Sequence, residues 1–274
     1  MSATDVAMAA LAAEPCRSIL GGIAKLRTGR RALSGLSAPC GVFDTFEQGW
    51  KAARKARPAG HEHPDDITIH LNLSRTLRQS DYAVLYWLTR VSPGNLKLFD
   101  FGGNVGNLFY SYLPFLRDHF QEINWTVFDL PLIMKEGQKM SAERGATQLK
   151  FVPSPADAGA FPVLLVSGAF HYWERSVVEF LDQFAQPPEH ILINRTPVHL
   201  GEQKPFITVQ CAPNYAVPCI IRNGRKLVQE FEDAGYKLLD RWPALELRLR
   251  LPLFPHLTVP YYSGFYFRRE MPRL

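Results

Sequence analysis

Apolar positions change rhythm along this chain of 274 residues. Up to about residue 60 they recur at helical spacing, and FDTFEQGWKAARKA (Phe43–Ala56) places Phe43, Phe46, Trp50 and Ala53 on one side. RPAGHEHPDD then breaks the pattern with Pro58, Gly60 and Pro64. The next stretch, SDYAVLYWLTRV, predicts a helix capped by Ser80 or Asp81, with Val84, Leu85 and Leu88 inward and Pro93 and Gly94 as its stop.

From Leu96 onward strands and helices alternate. Strands are expected at Leu96–Phe101, Asn124–Phe128, Leu149–Val152, Val163–Ser167 and Ile191–Asn194. Helices are expected at Val105–Phe120, bent near Pro114, at Leu132–Arg144, closed by Gly145, and at Ser176–Ala185. RKLVQEFEDAGYKLLDRW predicts a helix ending at Gly235 and a sixth strand, and YSGFYFRR the last one. Runs such as VLLV and ILI lack polar alternation, which suits strands covered on both faces. The alternation as a whole predicts a doubly wound α/β sheet behind an N-terminal helical extension over residues 1–60.

Composition narrows the picture. Hydrophobic residues make up 46% of the chain, enough for a packed core. No run approaches the ~18 apolar residues that span a bilayer, so no membrane partner is expected. The alanine-rich start lacks a basic leader and is interrupted by Asp5 and Glu14, which predicts a cytoplasmic protein. Cys16, Cys40, Cys211 and Cys219 are scattered without a CxxC pair and read as reduced thiols. A net charge of +5 invites nucleic acid, but the basic clusters KLRTGRR and KAARKAR are too short for a binding field, so none is expected. His61, His63, Asp65 and Asp66 have ligand-type chemistry, but loop histidines usually cap or solvate, and no metal is expected. A homodimer stays open.

The candidate chemistry begins at LKLFDFGGNVGNLFY, where an apolar strand ends in Asp100, turns through Gly102, Gly103 and Gly106, and opens a helix. A helix start presents unpaired N–H groups and partial positive charge, and glycines there admit a ligand or simply permit a tight crossing. Asp129 ends the second strand in TVFDLP, where its two acceptor oxygens suit the hydroxyls of a ribose. Neither G-x-G-x-x-G nor G-K-[ST] is present, which excludes a phosphate-binding P-loop. Asp100 at the mouth would repel a pyrophosphate but attract a cationic amino-acid group. Together these favour a nucleoside with a positively charged tail.

DFGGNVG resembles the first motif, acid-x-G-x-G-x-G, of class I S-adenosylmethionine (SAM) dependent methyltransferases. It departs from that motif at Asn104, which stands where a glycine is usual; asparagine tolerates the left-handed conformation better than most residues. GHEHPD, SDYAVLYWL, FDFGGNVGNLFYSY, VFDLP, SGAFHYW, LINRTP and YSGFYFRR are similar to a bacterial group of methyltransferase-like proteins found in biosynthetic clusters. That group includes SAM-cyclising, azetidine-2-carboxylate synthase-like members. The resemblance implies a Rossmann-like, seven-stranded, mostly parallel sheet with an antiparallel last strand, in a SAM-binding catalytic domain over residues 61–274. It also implies a SAM site at Asp100, Gly102, Gly103, Asn104, Gly106, Asp129, Leu130, Ser167 and Gly168, with Tyr82 able to cover the cleft.

By the same analogy SGAFHYW faces the acceptor. His171 is a candidate general base, and Tyr172 and Trp173 can present ring faces to a sulfonium. Packing at a sheet edge is the alternative for all three. Arg195, Tyr215 and Arg222 are candidates for a substrate carboxylate, and FPHLTVPYYSGF for a pocket wall or a hairpin connection. Three functional readings follow: methyl transfer to a small molecule or carrier-bound intermediate of secondary metabolism, cyclisation of SAM alone to azetidine-2-carboxylate and methylthioadenosine, and a silent scaffold of SAM-binding fold.

Overall fold

A computed structural model describes residue 13 and residues 16–25, 41–56, 76–91, 94–211, 215–251 and 254–270. The chain divides into two units. The larger comprises Glu62–Thr196, Arg225–Leu247 and Tyr262–Leu274; the smaller comprises Met1–His61, Pro197–Gly224 and Arg248–Tyr261.

In the larger unit, helix α3 (Asp81–Val91) precedes strand β1 (Gly94–Phe101), α4 (Asn107–Leu116), β2 (Phe120–Phe128), α5 (Pro131–Glu143), β3 (Leu149–Phe151) and β4 (Val163–Ser167). Helix α6 (Val177–Leu181), β5 (His190–Thr196), α7 (Gly224–Asp233), β9 (Tyr236–Ala244) and β10 (Tyr262–Arg269) complete it. Seven strands form one sheet in the order β3-β2-β1-β4-β5-β10-β9. Parallel pairing joins β3 through β5, whereas β10 is antiparallel to both β5 and β9. The expected seven-stranded Rossmann-like architecture with an antiparallel last strand is therefore present.

The period of two along β1 explains why the sheet is covered twice. Leu96 and Leu98 face a core shared with Trp125, with Val84, Leu85 and Leu88 of α3, and with Phe109 and Tyr112 of α4. Phe99 and Phe101 point the other way. Phe99 stacks on Phe161 at 5.0 Å between ring centroids, and Phe101 meets Phe180 of α6 edge-on at 5.0 Å. Farther along that sheet Phe231 of α7 stacks on Phe267 of β10 at 4.4 Å. Each buried aromatic of this kind contributes about 1.5–3 kcal/mol relative to exposure. Two helices are shorter than their apolar spacing suggests. Helix α4 stops at Leu116 because β2 already starts at Phe120. Helix α6 keeps its expected cap, with Ser176 and Glu179 forming a capping box, but unwinds after Leu181.

The smaller unit holds α1 (Cys16–Lys25), α2 (Phe46–Ala56), β6 (Val198–His199), β7 (Phe206–Cys211) and β8 (Ala216–Asn223). Its three strands order as β6-β8-β7. Ala52 and Ala53 of α2 pack on Val209 and Ala216, and Phe43 bridges to Ile207. Gly49 lets the helix approach closely, since a Cβ there would lie 2.7 Å from the Pro218 ring. None of these strands was legible from the sequence pattern.

Among the described residues no helix is long and apolar enough to cross a membrane, and no group of three metal-ligating side chains forms. Cys16 and Cys211 are exposed thiols and Cys219 is a buried one. Cys40, His61, His63, Asp65 and Asp66 lie outside the described residues.

Candidate functional site

The strand order locates a crevice before any side chain is considered. From β1 the chain builds outward through β2 and β3, then crosses to the other side of β1 to form β4. At such a switch point the loops leaving adjacent strands diverge, and ligands of open α/β sheets bind at the strands' carboxyl ends there. The loops leaving β1 and β4 are the Gly102–Gly106 turn and Ser167–Gly168.

The turn itself is tightly built. Gly102 and Gly106 have φ of 72° and 82°, and Asn104 adopts the left-handed region at 56° with its Oδ1 accepting the Val105 N–H at 2.8 Å. The departure from the usual glycine thus keeps the turn. A Cβ on Gly102 would strike that of Ala169, one on Gly103 would lie 2.5 Å from Asp100 Cγ, and one on Gly106 would lie 2.6 Å from Leu149 Cδ2. Side chains are excluded from this turn by neighbouring protein atoms as well as by backbone conformation. Gly102→Val is accordingly expected to lower stability by at least about 2 kcal/mol, from left-handed strain plus collision with Ala169. An unchanged urea midpoint would mean that the two loops lie farther apart than described. Gly168 differs: its φ is 76° and a Cβ there would meet nothing within 4 Å. The end of β4 therefore borders open space.

Two carboxylates flank the turn. Asp129 Oδ2 accepts the Asn104 N–H at 2.7 Å and Oδ1 accepts the Leu130 N–H at 2.7 Å, so the carboxylate joins the β1 and β2 loops and is held in one orientation. Asp100 is fully buried; Trp125 Nε1 donates to Oδ2 at 3.1 Å, and Oδ1 meets no donor among the described residues. Burial raises its pKa from 3.8 to about 7, with nearby Asp129 adding to the rise. A buried carboxyl with an unsatisfied oxygen is costly in isolation and is suited to meeting a cation.

Behind the turn lies a buried polar network that the sequence pattern does not display. Arg195 is buried, with φ of 55°, and its Nη1 pairs with Asp81 Oδ1 at 2.9 Å while Nη2 donates to Ser167 Oγ at 2.8 Å. Tyr112 donates to the same Asp81 oxygen at 2.7 Å, and burial keeps its phenol protonated well above the usual range. Asn194 Oδ1 accepts from Trp242 Nε1 at 3.0 Å. The guanidinium considered for a substrate carboxylate is thus engaged with the protein's own acid.

The remaining candidates divide. His171, buried at 4% exposure, is the middle residue of a 3-10 turn over Phe170–Tyr172, with its ring 4.2 Å from Tyr172 and 6.1 Å from Tyr262. Trp173 packs 5.5 Å from Phe180 and donates its indole N–H to the Ser176 carbonyl, fixing the start of α6. Tyr82 is 59% exposed on α3, and Leu130 is exposed just before α5. The turn, Asp100, Asp129, Ser167 and Gly168 are brought together at the carboxyl ends of the neighbouring strands β2, β1 and β4 by topology.

No protein-family model matches the chain, and no curated protein does. Solved structures do. The [4+2]-cyclase SpnF is 14% identical over 78% of this chain and 97% of its own, with a TM-score of 0.50. Magnesium protoporphyrin IX methyltransferase from Synechocystis PCC 6803, solved with bound SAH, is 15% identical over 79% of this chain and 92% of its own, at 0.46. A SAM-dependent methyltransferase from Thiobacillus denitrificans is 14% identical over 77% of this chain and 100% of its own, at 0.45. At these identities the likeness to SpnF shows a shared Rossmann-like fold. A fold hosts many chemistries, so function rests on the site.

Proposed function

We propose that the chain is an enzyme that binds SAM at the carboxyl ends of β1, β2 and β4 and transfers its methyl group to a small-molecule or carrier-bound acceptor. The observation that carries this reading is the buried Asp100 carboxyl, whose Oδ1 meets no donor among the described residues, beside a glycine turn at the sheet's switch point. That atom fits the cationic amine of SAM's amino-acid tail. Asp129, oriented by two backbone N–H groups, fits the ribose hydroxyls, because each carboxylate oxygen can accept more than one hydrogen bond. Gly168 borders open space, as a ligand in that crevice would require. When bound, SAM supplies an electrophilic carbon on a sulfonium sulfur. His171 is the group proposed to take the acceptor's proton, and the rings of Tyr172 and Trp173 border the positive charge.

Asp129→Ala is expected to weaken SAM binding by roughly 1–3 kcal/mol, about 5- to 150-fold in Kd by calorimetry. An unaltered Kd places the ribose elsewhere. No heat with SAM or S-adenosylhomocysteine for the unaltered chain would favour a silent scaffold. The reaction is read by incubating the protein with SAM alone. Appearance of methylthioadenosine with azetidine-2-carboxylate identifies attack by SAM's own α-amine, whereas formation of S-adenosylhomocysteine only with an added acceptor identifies methyl transfer.

A further inference from the structure

The smaller unit contains a cavity of about 180 Å³. One wall is β6 with the loop that follows, through Val198, His199, Leu200 and Gln203; the other is the FPHLTVPYY stretch, through Thr258, Val259, Pro260 and Tyr261. Both walls are pinned. Asn223 of β8 donates to the carbonyls of Gly201 (2.6 Å) and Gln203 (3.3 Å), and Leu249 and Val259 exchange two backbone hydrogen bonds at 3.0 Å. His199 Nε2 lies 3.1 Å from the Leu257 carbonyl and ties the walls together.

The lining decides what fits. Among the described residues lining the cavity there is no lysine, arginine, aspartate or glutamate, so a charged ligand would gain no counter-ion there. Most of the lining side chains are aliphatic or aromatic; beside the Thr258 and Tyr261 hydroxyls, Gln203 and His199 supply acceptors. Gln203 Oε1 is buried and meets no donor among the described residues. A carbonyl can only accept, so His199 Nε2 carries the proton toward Leu257; burial lowers the ring's pKa, which leaves Nδ1 an acceptor at neutral pH. Both groups call for a donor on the ligand. The size, about 180 Å³, calls for a small one, since about 150 Å³ already accommodates benzene.

We propose that this cavity is a binding site for an uncharged, one-ring-sized ligand carrying an O–H or N–H donor, held by Gln203 and His199 between the aliphatic walls. The site is assigned from the smaller unit alone and does not depend on SAM.

Phenol is the probe, and toluene is the isosteric control without a donor. The full-length chain, with valine and leucine methyl groups 13C-labelled, is titrated with each in the absence of SAM. Saturable shifts are expected at Val198, Leu200 and Val259, with phenol binding at least threefold more tightly than toluene. Gln203→Leu is expected to weaken phenol by about three- to tenfold, the worth of one hydrogen bond, and to leave toluene unchanged or tighter. The methyl spectrum reports whether the variant is folded. Equal affinity for phenol and toluene in the unaltered protein overturns the proposal without recourse to a variant. So does the absence of saturable shifts at those three residues, or an unchanged phenol affinity in a folded Gln203→Leu chain.

Discussion

Arg195→Met is expected to cost roughly 3–5 kcal/mol of stability, because it leaves the Asp81 carboxylate buried without its cation. Asp81 is 1% exposed, and Arg195 Nη1 stands 2.9 Å from it. The Tyr112 hydroxyl and the Arg78 backbone N–H still reach the carboxylate, at 2.7 and 2.8 Å, but neither brings a charge. The Arg78 guanidinium attracts Asp81 without a direct ion pair among the described residues. Adding Asp81→Asn to Arg195→Met should recover much of the loss, since an ion pair replaced on both sides costs far less than one broken on one side. Urea unfolding of the two single variants and the double variant measures the coupling. A single-variant loss under about 1 kcal/mol would mean that water reaches the pair. Because Arg195 also donates to Ser167, the same substitution loosens the end of β4 and is expected to weaken SAM binding.

Asp100→Asn is expected to act in opposite directions on stability and on binding. With the folded pKa raised to about 7 from 3.8, the native state holds a proton that the unfolded chain has already released. Stability therefore falls as pH rises between those values, and the loss is complete above 7. From pH 5 to pH 8 this one group removes roughly 2–3 kcal/mol. The asparagine variant lacks that slope and should be more stable than the unaltered chain at pH 8, with a much smaller difference at pH 5. SAM affinity should fall in the variant. In the unaltered chain it should weaken as pH drops from 8 to 6, because protonation removes the charge that meets the amine. Parallel stability-versus-pH curves for the two proteins would show that the folded state does not raise the Asp100 pKa, and unchanged SAM affinity in Asp100→Asn would remove it as the amine's partner.

What the sequence displayed follows from how local each signal is. Val163–Ser167 and Tyr262–Arg269 begin and end where their apolar runs do. The entries of β1 and β2 are longer than read, because Gly94, Asn95, Gln121 and Glu122 are exposed and carry no core pattern. The glycine turn and the two acids beside it were legible, since backbone conformation and strand ends leave a mark on neighbouring residues. The Asp81–Arg195 pair was not: its partners are 114 residues apart, and each had a sufficient local reading, one as a helix cap and the other as a ligand group. The small sheet was hidden for a different reason. Pro218 sits inside β8, the middle strand, where proline normally argues against a strand. Strand β6 pairs with Arg222 and Asn223, so among the described residues β8 has no strand partner on that side at Pro218. The cavity's Gln203 gave no signal, because a single loop glutamine has no periodicity to betray it.

The place of β10 bears on how the chain matures. Its ladder partners, β5 and β9, precede it in the chain, and neither pairs with the other. During synthesis both must wait with bare hydrogen-bonding rims until residues 262–269 leave the ribosome. That interval invites pairing with foreign strands, and it ends only when β10 slides between them as a wedge.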